Sequence, residues 1–211
     1  MSFKAVLFDF DGVVVDTEGI YTDFWKDIDR LYPTGVPDFS LAIKGNTLVN
    51  ILNRYFRPEL HDDITGRVAR LERTMTIPMY DGVARLLRSL HAAGKGIAIA
   101  TASNPAKMQK AFADLPVLAE TVDVLVTDRD VTESKPSPQC YLIAASRLGV
   151  DPRDCVVVED SLAGLRAGRS AGGKVAGVAT TNPREAVEPL ADIVVDRPGE
   201  LSVGIFESLF R

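Results

Sequence analysis

The chain has 211 residues, of which 46% are hydrophobic and 25% charged, and its formal net charge is −5. This composition is typical of a globular protein with one large or two small domains, and its acidic balance argues against a nucleic-acid partner. No apolar run approaches the ~20 residues of a membrane-spanning helix, so we expect no membrane partner. Two cysteines, Cys140 and Cys155, give no disulfide framework, which indicates a cytoplasmic protein, with a monomer as the default.

The first apolar segment, residues 4–8, predicts a buried strand that ends in two aspartates. Asp9 and Asp11 stand two residues apart, and Gly12 lets the chain turn away behind them. The carboxyl ends of strands are where an open α/β sheet keeps its active site, so the pair is a candidate site. Asp and Gly are also common in turns and helix N-caps, so the pair by itself leaves a purely structural role equally open.

The following residues, up to about residue 77, have a helical pattern and no strand pattern. Apolar faces at helical spacing fall within residues 24–31, 48–56 and 64–75, and Pro33 and Pro58 end the first two. These segments predict a compact helical insert whose aromatic residues form its own core.

After Pro78 the pattern changes to strands that alternate with helices. Apolar segments predict strands at 96–100, 122–126, 155–158, 175–178 and 193–195. Helices are expected between them and at 204–210, with Asp81, Asn104 and Ser161 as N-caps. This alternation predicts an α/β fold in which a parallel sheet is covered by helices on both faces.

Polar residues stand where several predicted strands end. They are Asp9 and Asp11, Thr101 with Ser103, and Glu159 with Asp160, while Lys135 lies in the loop after the third strand. Each has an ordinary alternative, since hydroxyl and carboxylate groups cap helices and most lysines are solvated. Parallel strands bring their carboxyl ends to one edge, so we expect the whole set to meet there.

In this set of residues the chain resembles the haloacid dehalogenase superfamily of phosphotransferases. The four matching motifs, in chain order, are Asp9-Phe10-Asp11-Gly12-Val13, Ile97-Ala98-Ile99-Ala100-Thr101, Ser134-Lys135-Pro136 and Val156-Val157-Val158-Glu159-Asp160-Ser161. The most similar subgroup is the β-phosphoglucomutase and sugar-phosphatase branch. The resemblance implies a Rossmann-like three-layer core formed by residues 1–15 and 79–211, with residues 16–78 inserted as a small α-helical cap.

The resemblance also implies a role for each matching residue. Asp9 is expected to attack phosphorus and form an aspartyl-phosphate, and Asp11 to act as acid and then base. Thr101 is expected to hydrogen-bond a phosphoryl oxygen, Lys135 to supply positive charge, and backbone N–H groups near Gly12 to bind phosphate. The expected Mg²⁺ ligands are Asp9, the backbone carbonyl of Asp11 and Asp160, with Glu159 assisting or lying just outside.

Residues of the insert and of the pocket mouth are expected to select the substrate. Lys44 is a candidate contact for the leaving group, with a solvated lysine as the alternative, and Ser103, Asn104 and Arg129 are candidates to line the pocket mouth. The histidines, His61 and His91, are not placed for catalysis.

Two departures from the branch bear on the reaction. Tyr21 stands where its sugar-phosphate mutases carry histidine, and Leu48 stands where they carry the arginine that holds a second phosphate. These departures favour transfer to water, and hence a Mg²⁺-dependent phosphatase of a small phosphorylated metabolite. The alternatives are a β-phosphoglucomutase-like mutase and a non-catalytic module that binds a phosphorylated ligand. Such a module is expected to have lost Asp9, Asp11, Lys135 or Asp160, all of which are present.

Overall fold

The fold is built on one six-stranded, fully parallel sheet. A computed structural model describes residues 2–211. In chain order the strands are β1 (Ala5–Phe8), β2 (Gly96–Ala100), β3 (Val124–Val126), β4 (Cys155–Glu159), β5 (Lys174–Val178) and β6 (Ile193–Val195). Their spatial order is β3-β2-β1-β4-β5-β6. The predicted α/β fold is confirmed, and β1 lies at the point where the strand order reverses, which is where such sheets bind ligands.

Helices occupy both faces of the sheet and the segment after β1. They are α1 (Glu18–Leu31), α2 (Phe39–Ala42), α3 (Leu48–Tyr55), α4 (His61–Thr74), α5 (Val83–Ala92), α6 (Pro105–Asp114), α7 (Pro116–Thr121), α8 (Gln139–Arg147), α9 (Leu162–Ala171), α10 (Arg184–Val187) and α11 (Val203–Ser208). None of the helices in residues 2–211 is both long and apolar enough to cross a membrane.

Alternation along β1 explains the three layers. Val6 and Phe8 belong to a buried cluster that includes residues of α5, α6 and α11. Leu7 points to the other face, where the cluster includes Tyr141 of α8 and Ala167 of α9. Because successive side chains of a strand point to opposite faces, a strand that is apolar throughout requires helices on both sides.

Helices α1 to α4 pack around an apolar cluster of their own. Trp25, Phe39 and Phe56 pack together, with the Trp25 and Phe39 ring centroids 6.0 Å apart in an edge-to-face arrangement. The two connections of this segment to the sheet run side by side, since Val15 pairs with Met79 in an antiparallel bridge. The segment therefore leaves and rejoins the sheet at one place, next to the carboxyl end of β1.

The main local differences from the sequence predictions concern helix ends. Asn104 and Ser161 cap their helices as predicted, accepting hydrogen bonds from Lys107 N and Gly164 N. Asp81 does not, because Gly82, at φ +84°, is the N-cap of α5. Helix α7 was not predicted, and because it extends to Thr121 the third strand begins at Val124 rather than at residue 122.

Candidate active site

The carboxyl end of β1 brings Asp9 next to the ammonium group of Lys135. Lys135 Nζ lies 2.8 Å from Asp9 Oδ1 and 2.6 Å from Glu159 Oε1, and its side chain is 3% exposed. Burial raises the pKa of Asp9 to about 7, although Lys135 acts to lower it. Burial by itself would favour the neutral amine, but the two carboxylates hold the pKa of Lys135 above its usual value. Lys135 is therefore a buried cation that faces Asp9, not a solvated surface residue.

Glu159 binds this lysine, and both of its carboxylate oxygens accept hydrogen bonds. Its Oε1 also accepts a hydrogen bond from the buried Tyr141 hydroxyl at 2.8 Å. Its Oε2 accepts from the backbone N–H groups of Asp160 and Ser161, both at 2.9 Å, and from the Ser161 hydroxyl at 3.0 Å. The missing side chain of Gly164 makes this fold-back possible, because a Cβ there would overlap the Glu159 carboxylate.

Asp160, by contrast, carries a buried oxygen that lacks a partner. Its Oδ1 accepts no hydrogen bond from residues 2–211, while its Oδ2 accepts one from the Thr181 hydroxyl. Burial and the nearby carboxylates Glu159 and Asp9 hold the pKa of Asp160 well above its usual range. An unpaired buried carboxylate oxygen is costly unless a cation pairs with it. Asp9, Glu159 and Asp160 can place one oxygen each within 4.8 Å of one another, as a metal site requires.

Gly12 allows Asp160 to approach the loop after β1. Gly12 has φ +79°, and a Cβ there would clash with the Asp160 carboxylate. Its carbonyl accepts a hydrogen bond from the Thr180 hydroxyl at 2.6 Å. Two requirements therefore favour glycine at this position, one of backbone conformation and one of space.

The Asp11 side chain contacts a second buried lysine, Lys107. Lys107 Nζ lies 2.5 Å from Asp11 Oδ1 and 2.6 Å from Oδ2. The Ser103 hydroxyl donates to Oδ2 at 2.8 Å, and the Thr17 hydroxyl donates to Oδ1. Burial acts to raise the pKa of Asp11, but the Lys107 charge and these hydrogen bonds outweigh it and leave the pKa below its usual value.

A cavity of about 110 Å³ lies between this site and helices α1 to α4. The predicted site residues on its wall are Asp9, Asp11, Lys44, Thr101, Ser103 and Asn104. Leu48, Trp25 and Ile51 supply apolar surface, and Glu72 and Asp128 supply carboxylates. Arg129 was predicted to line the pocket mouth, but it is exposed and does not line this cavity. Its neighbour Asp128 lines the cavity instead.

The basic side chain on the cavity wall, Lys44, is already paired. Its ammonium contacts the Glu18 carboxylate and lies 3.2 Å from the Thr22 hydroxyl. Its side chain is 11% exposed, so it is not a solvated lysine. The Glu18 contact offsets much of the positive charge that Lys44 brings to the cavity.

Helices α3 and α4 contact the sheet domain through two sets of hydrogen bonds around the cavity. On one side, the Ser134 hydroxyl, next to Lys135, accepts from Thr47 N at 3.0 Å and from Asn50 Nδ2 at 2.6 Å. On the other side, Asn104 Nδ2 donates to Glu72 Oε2 at 2.7 Å.

Among the residues of this arrangement that the sequence analysis did not select are Lys107, Glu72 and Tyr141. Lys107 and Tyr141 are fully buried, and Glu72 is 8% exposed. The two histidines lie elsewhere, His61 at the first residue of α4 and His91 exposed on the last turn of α5. No local pattern distinguishes Lys107, because a lysine near a helix end is ordinarily solvated.

Comparison with known proteins identifies related chains. The family model for haloacid dehalogenase-like hydrolases matches residues 3–172. Hexitol phosphatase A of Escherichia coli is 32% identical, with 82% of this chain and 81% of the relative covered. N-acetylmuramic acid 6-phosphate phosphatase of Pseudomonas aeruginosa is 30% identical, with 95% and 94% covered. A bifunctional riboflavin kinase/FMN phosphatase of Arabidopsis thaliana is 31% identical, and the aligned region spans only 56% of that protein.

Solved structures share the fold over nearly the whole chain. CbbY from Rhodobacter sphaeroides in complex with phosphate is 26% identical, with a TM-score of 0.74 and coverage of 94% of this chain and 96% of the other. A β-phosphoglucomutase from Clostridium difficile is 23% identical, with a TM-score of 0.82 and coverage of 99% and 97%. At that identity, the second likeness concerns the fold alone.

Proposed function

The chain belongs to the haloacid dehalogenase-like hydrolases, and on that basis we propose that it is a phosphatase acting on a small phosphorylated metabolite. The observation that carries the proposal is the 2.8 Å pair between Asp9 and the buried Lys135, beside the unpaired oxygen of Asp160. A carboxylate on a cavity wall is a suitable nucleophile for phosphorus, and a fixed cation stabilises the charge of a transferring phosphoryl group.

The residues present suit a divalent metal ion. Asp160 Oδ1 is a buried oxygen without a partner among residues 2–211, and Asp9 and Asp160 can offer oxygens within 4.8 Å of each other. Hard cations such as Mg²⁺ prefer this all-oxygen chemistry. Asp9, the backbone carbonyl of Asp11 and Asp160 would hold Mg²⁺, with Glu159 behind them because its oxygens are occupied. When bound, the ion would offset the negative charge of the carboxylates and the phosphate.

The proposed reaction proceeds in two displacements. Lys135 holds Asp9 Oδ1, which leaves Oδ2 to attack phosphorus. A bond from Asp9 to phosphorus forms as the ester bond breaks, and Asp11 gives a proton to the leaving oxygen. Water then attacks the aspartyl-phosphate, Asp11 takes the proton of that water, and inorganic phosphate leaves. Thr101 and the backbone N–H groups near Gly12 would hydrogen-bond the phosphoryl oxygens.

The proposed substrate carries one phosphate and an uncharged, hydroxylated leaving group. We propose residues 16–78 as a cap domain over a core of residues 1–15 and 79–211, with the cavity at their junction. Glu72 and Asp128 supply acceptors for hydroxyl groups on that side, and the pairing of Lys44 with Glu18 leaves little charge for a second phosphate. The name of one relative, a hexitol phosphatase, fits such a leaving group.

The mutase and the non-catalytic module fit this cavity less well. A mutase has to bind a bisphosphate intermediate, whereas an apolar residue, Leu48, lines the wall where the mutases of this branch carry arginine. A binding module has no use for a nucleophile held by a buried cation, because a charged buried pair is costly to maintain.

A panel of phosphorylated metabolites with Mg²⁺ tests the proposal. We expect phosphate release from monophosphates of polyols or sugars, little release from the corresponding bisphosphates, and loss of activity in Asp9→Asn. Asp23→Asn, an exposed carboxylate of α1, is the matched control and should retain wild-type activity. A coupled assay that detects an isomerised sugar phosphate without phosphate release would favour the mutase. Full turnover of Asp9→Asn would refute the covalent route, and full turnover after exhaustive chelation would remove the metal from it.

A further inference from the structure

We propose that Lys107 is a positioning residue that fixes the Asp11 carboxylate for its acid–base step. The inference rests on the proposed phosphatase function and adds a residue that none of the four sequence motifs contains. Lys107 Nζ lies 2.5 and 2.6 Å from the two Asp11 oxygens and 2.9 Å from the Ser103 hydroxyl. Lys107 thus contacts both oxygens of the acid–base group at once.

The burial of Lys107 is costly unless its contact with Asp11 serves a purpose. Its side chain is 0% exposed, and its ammonium lies 4.5 Å from the centre of the Tyr21 ring and 5.7 Å from that of Phe10. A buried ammonium needs a partner, and lysines are almost never fully buried without one. Its position in the first turn of α6 is also unfavourable, since a helix N-terminus favours negative charge. A side chain that breaks two local preferences for one contact is the pattern expected at a functional site.

The contacts fix the orientation of the carboxylate, not only its charge. Lys107 holds both Asp11 oxygens, Thr17 adds a hydrogen bond to Oδ1, and Ser103 adds one to Oδ2. Thr17 lies in one segment and Ser103 and Lys107 in another, so rotation of the carboxylate would break several bonds together. Proton transfer requires a donor in a fixed position near the leaving oxygen, and a small displacement of a catalytic group reduces the rate strongly.

Lys107 is also linked to the helices that cover the cavity. Its backbone N–H donates to Asn104 Oδ1 at 3.0 Å, and Asn104 Nδ2 donates to Glu72 of α4 at 2.7 Å. The Tyr21 hydroxyl of α1 donates to the other Glu72 oxygen at 2.9 Å, and its ring covers the ammonium. Docking of α1 and α4 therefore completes the environment that keeps Lys107 on Asp11.

A positioning role of Lys107 can be distinguished from a purely structural one with two phosphate esters. The leaving group of one ester must be protonated as it departs, and that of the other need not be. The leaving group of p-nitrophenyl phosphate departs without protonation, whereas that of an alkyl phosphate, such as a hexitol phosphate, requires it. We expect Lys107→Met to lower kcat/KM for the alkyl ester by about 30-fold or more, which is part of the roughly 100- to 10,000-fold that acid–base catalysis contributes, and for the aryl ester by less than about 3-fold. kcat/KM is the appropriate measure because it reports the steps up to departure of the leaving group.

The matched control is Lys110→Met, on the same helix, where Lys110 pairs with Asp114 at the surface. It should behave as wild type with both esters. If Lys107 acts through Asp11, the double variant Asp11→Asn/Lys107→Met should be no slower with the alkyl ester than Asp11→Asn alone.

Equal losses with both esters, additive losses in the double variant, or wild-type rates in Lys107→Met would overturn the inference. If Lys107→Met does not fold, Ser103→Ala serves in its place, because it removes one hydrogen bond to the same carboxylate. It should lower kcat/KM selectively for the alkyl ester, by a smaller factor. Wild-type protein that hydrolyses neither ester would contradict the proposed function itself, and this outcome differs from all of those above.

Discussion

Replacing Lys135 by methionine should destabilise the metal-free protein in a strongly pH-dependent manner. The ammonium lies 2.8 Å from Asp9 and 2.6 Å from Glu159, and Glu159 is fully buried. Methionine has a similar length and no charge, so the variant retains most of the packing and leaves two buried carboxylates facing each other without a cation.

The size of the effect follows from this geometry. Removing one partner of a buried ion pair costs about 3–5 kcal/mol, because the remaining charge is left uncompensated. For a chain of this length, about 1 kcal/mol lowers the unfolding temperature by roughly 2–4 °C, so we expect a fall of about 6–20 °C. The matched control is Lys174→Met, because Lys174 forms an exposed pair with Asp192 at 3.7 Å. Such a pair contributes about 0–1 kcal/mol.

The sign of the pH dependence is determined by the carboxylates. In the native protein the pKa of Asp9 is raised to about 7, from an ordinary value of 3.8, so the folded state binds more protons than the unfolded state between these limits. The contribution of Asp9 to the free energy of unfolding therefore increases as the pH falls through this window. Without Lys135 more carboxylate charge is unpaired, and the penalty of the variant should be full near pH 8 and shrink towards pH 5.

The size of the penalty and its pH dependence can be measured by urea unfolding in chelating buffer at pH 8 and pH 5. The proteins to compare are wild type, Lys135→Met and Lys174→Met. A Lys135→Met penalty below about 1 kcal/mol at pH 8 would contradict the assignment of Lys135 as a buried partner of two charges. A penalty that stays constant between the two pH values would show that lost packing, and not uncompensated charge, is responsible.

Three further outcomes are expected. Mg²⁺ at about 100 times its dissociation constant should stabilise the wild type by about 2.7 kcal/mol in a thermal unfolding assay, and Asp160→Asn should lose most of this gain. Gly12→Ala should lose activity and destabilise the protein, since φ is +79° and a Cβ would clash with Asp160, whereas Gly66→Ala on the open face of α4 should stabilise it by about 0.5–1 kcal/mol. Burial raises the pKa of Cys140 to about 11 and that of Cys155 to about 12, so at pH 8 iodoacetamide should alkylate these thiols only in the unfolded protein, and faster as the pH rises.

The sheet and most of the candidate site were predictable because their determinants are local in the chain. A strand such as β1 is apolar along its whole length, and the polar residues that follow it must lie at the sheet edge. Four such strand ends or loops, taken in order, were enough to bring Asp9, Thr101, Lys135 and Asp160 together.

The residues that were missed depend on contacts between distant parts of the chain. Lys107 looks like a solvated lysine of α6, and its burial becomes evident only once Asp11, 96 positions away, lies beside it. Tyr141 fits the apolar face of α8, and nothing in its neighbourhood indicates that its hydroxyl will meet Glu159. Hydrophobic periodicity predicts which side chains of an element face the protein interior, but it does not predict which charged groups contact each other in that interior.

Each aspartate of the first motif is paired with its own buried lysine. Asp9 and Asp11 are two residues apart at one sheet edge, where two ionised carboxylates would repel each other, and the proposed reaction gives them different roles, nucleophile and acid–base group. The fold separates their roles by giving each its own buried cation, Lys135 at 2.8 Å from Asp9 and Lys107 at 2.5 Å from Asp11. Lys135 bonds one oxygen of Asp9, which lines the cavity, whereas Lys107 bonds both oxygens of Asp11. In the proposed reaction Asp9 attacks phosphorus and Asp11 transfers a proton, and a single lysine shared by both could not hold each carboxylate separately. We therefore infer that the second lysine allows two identical side chains to do different chemistry.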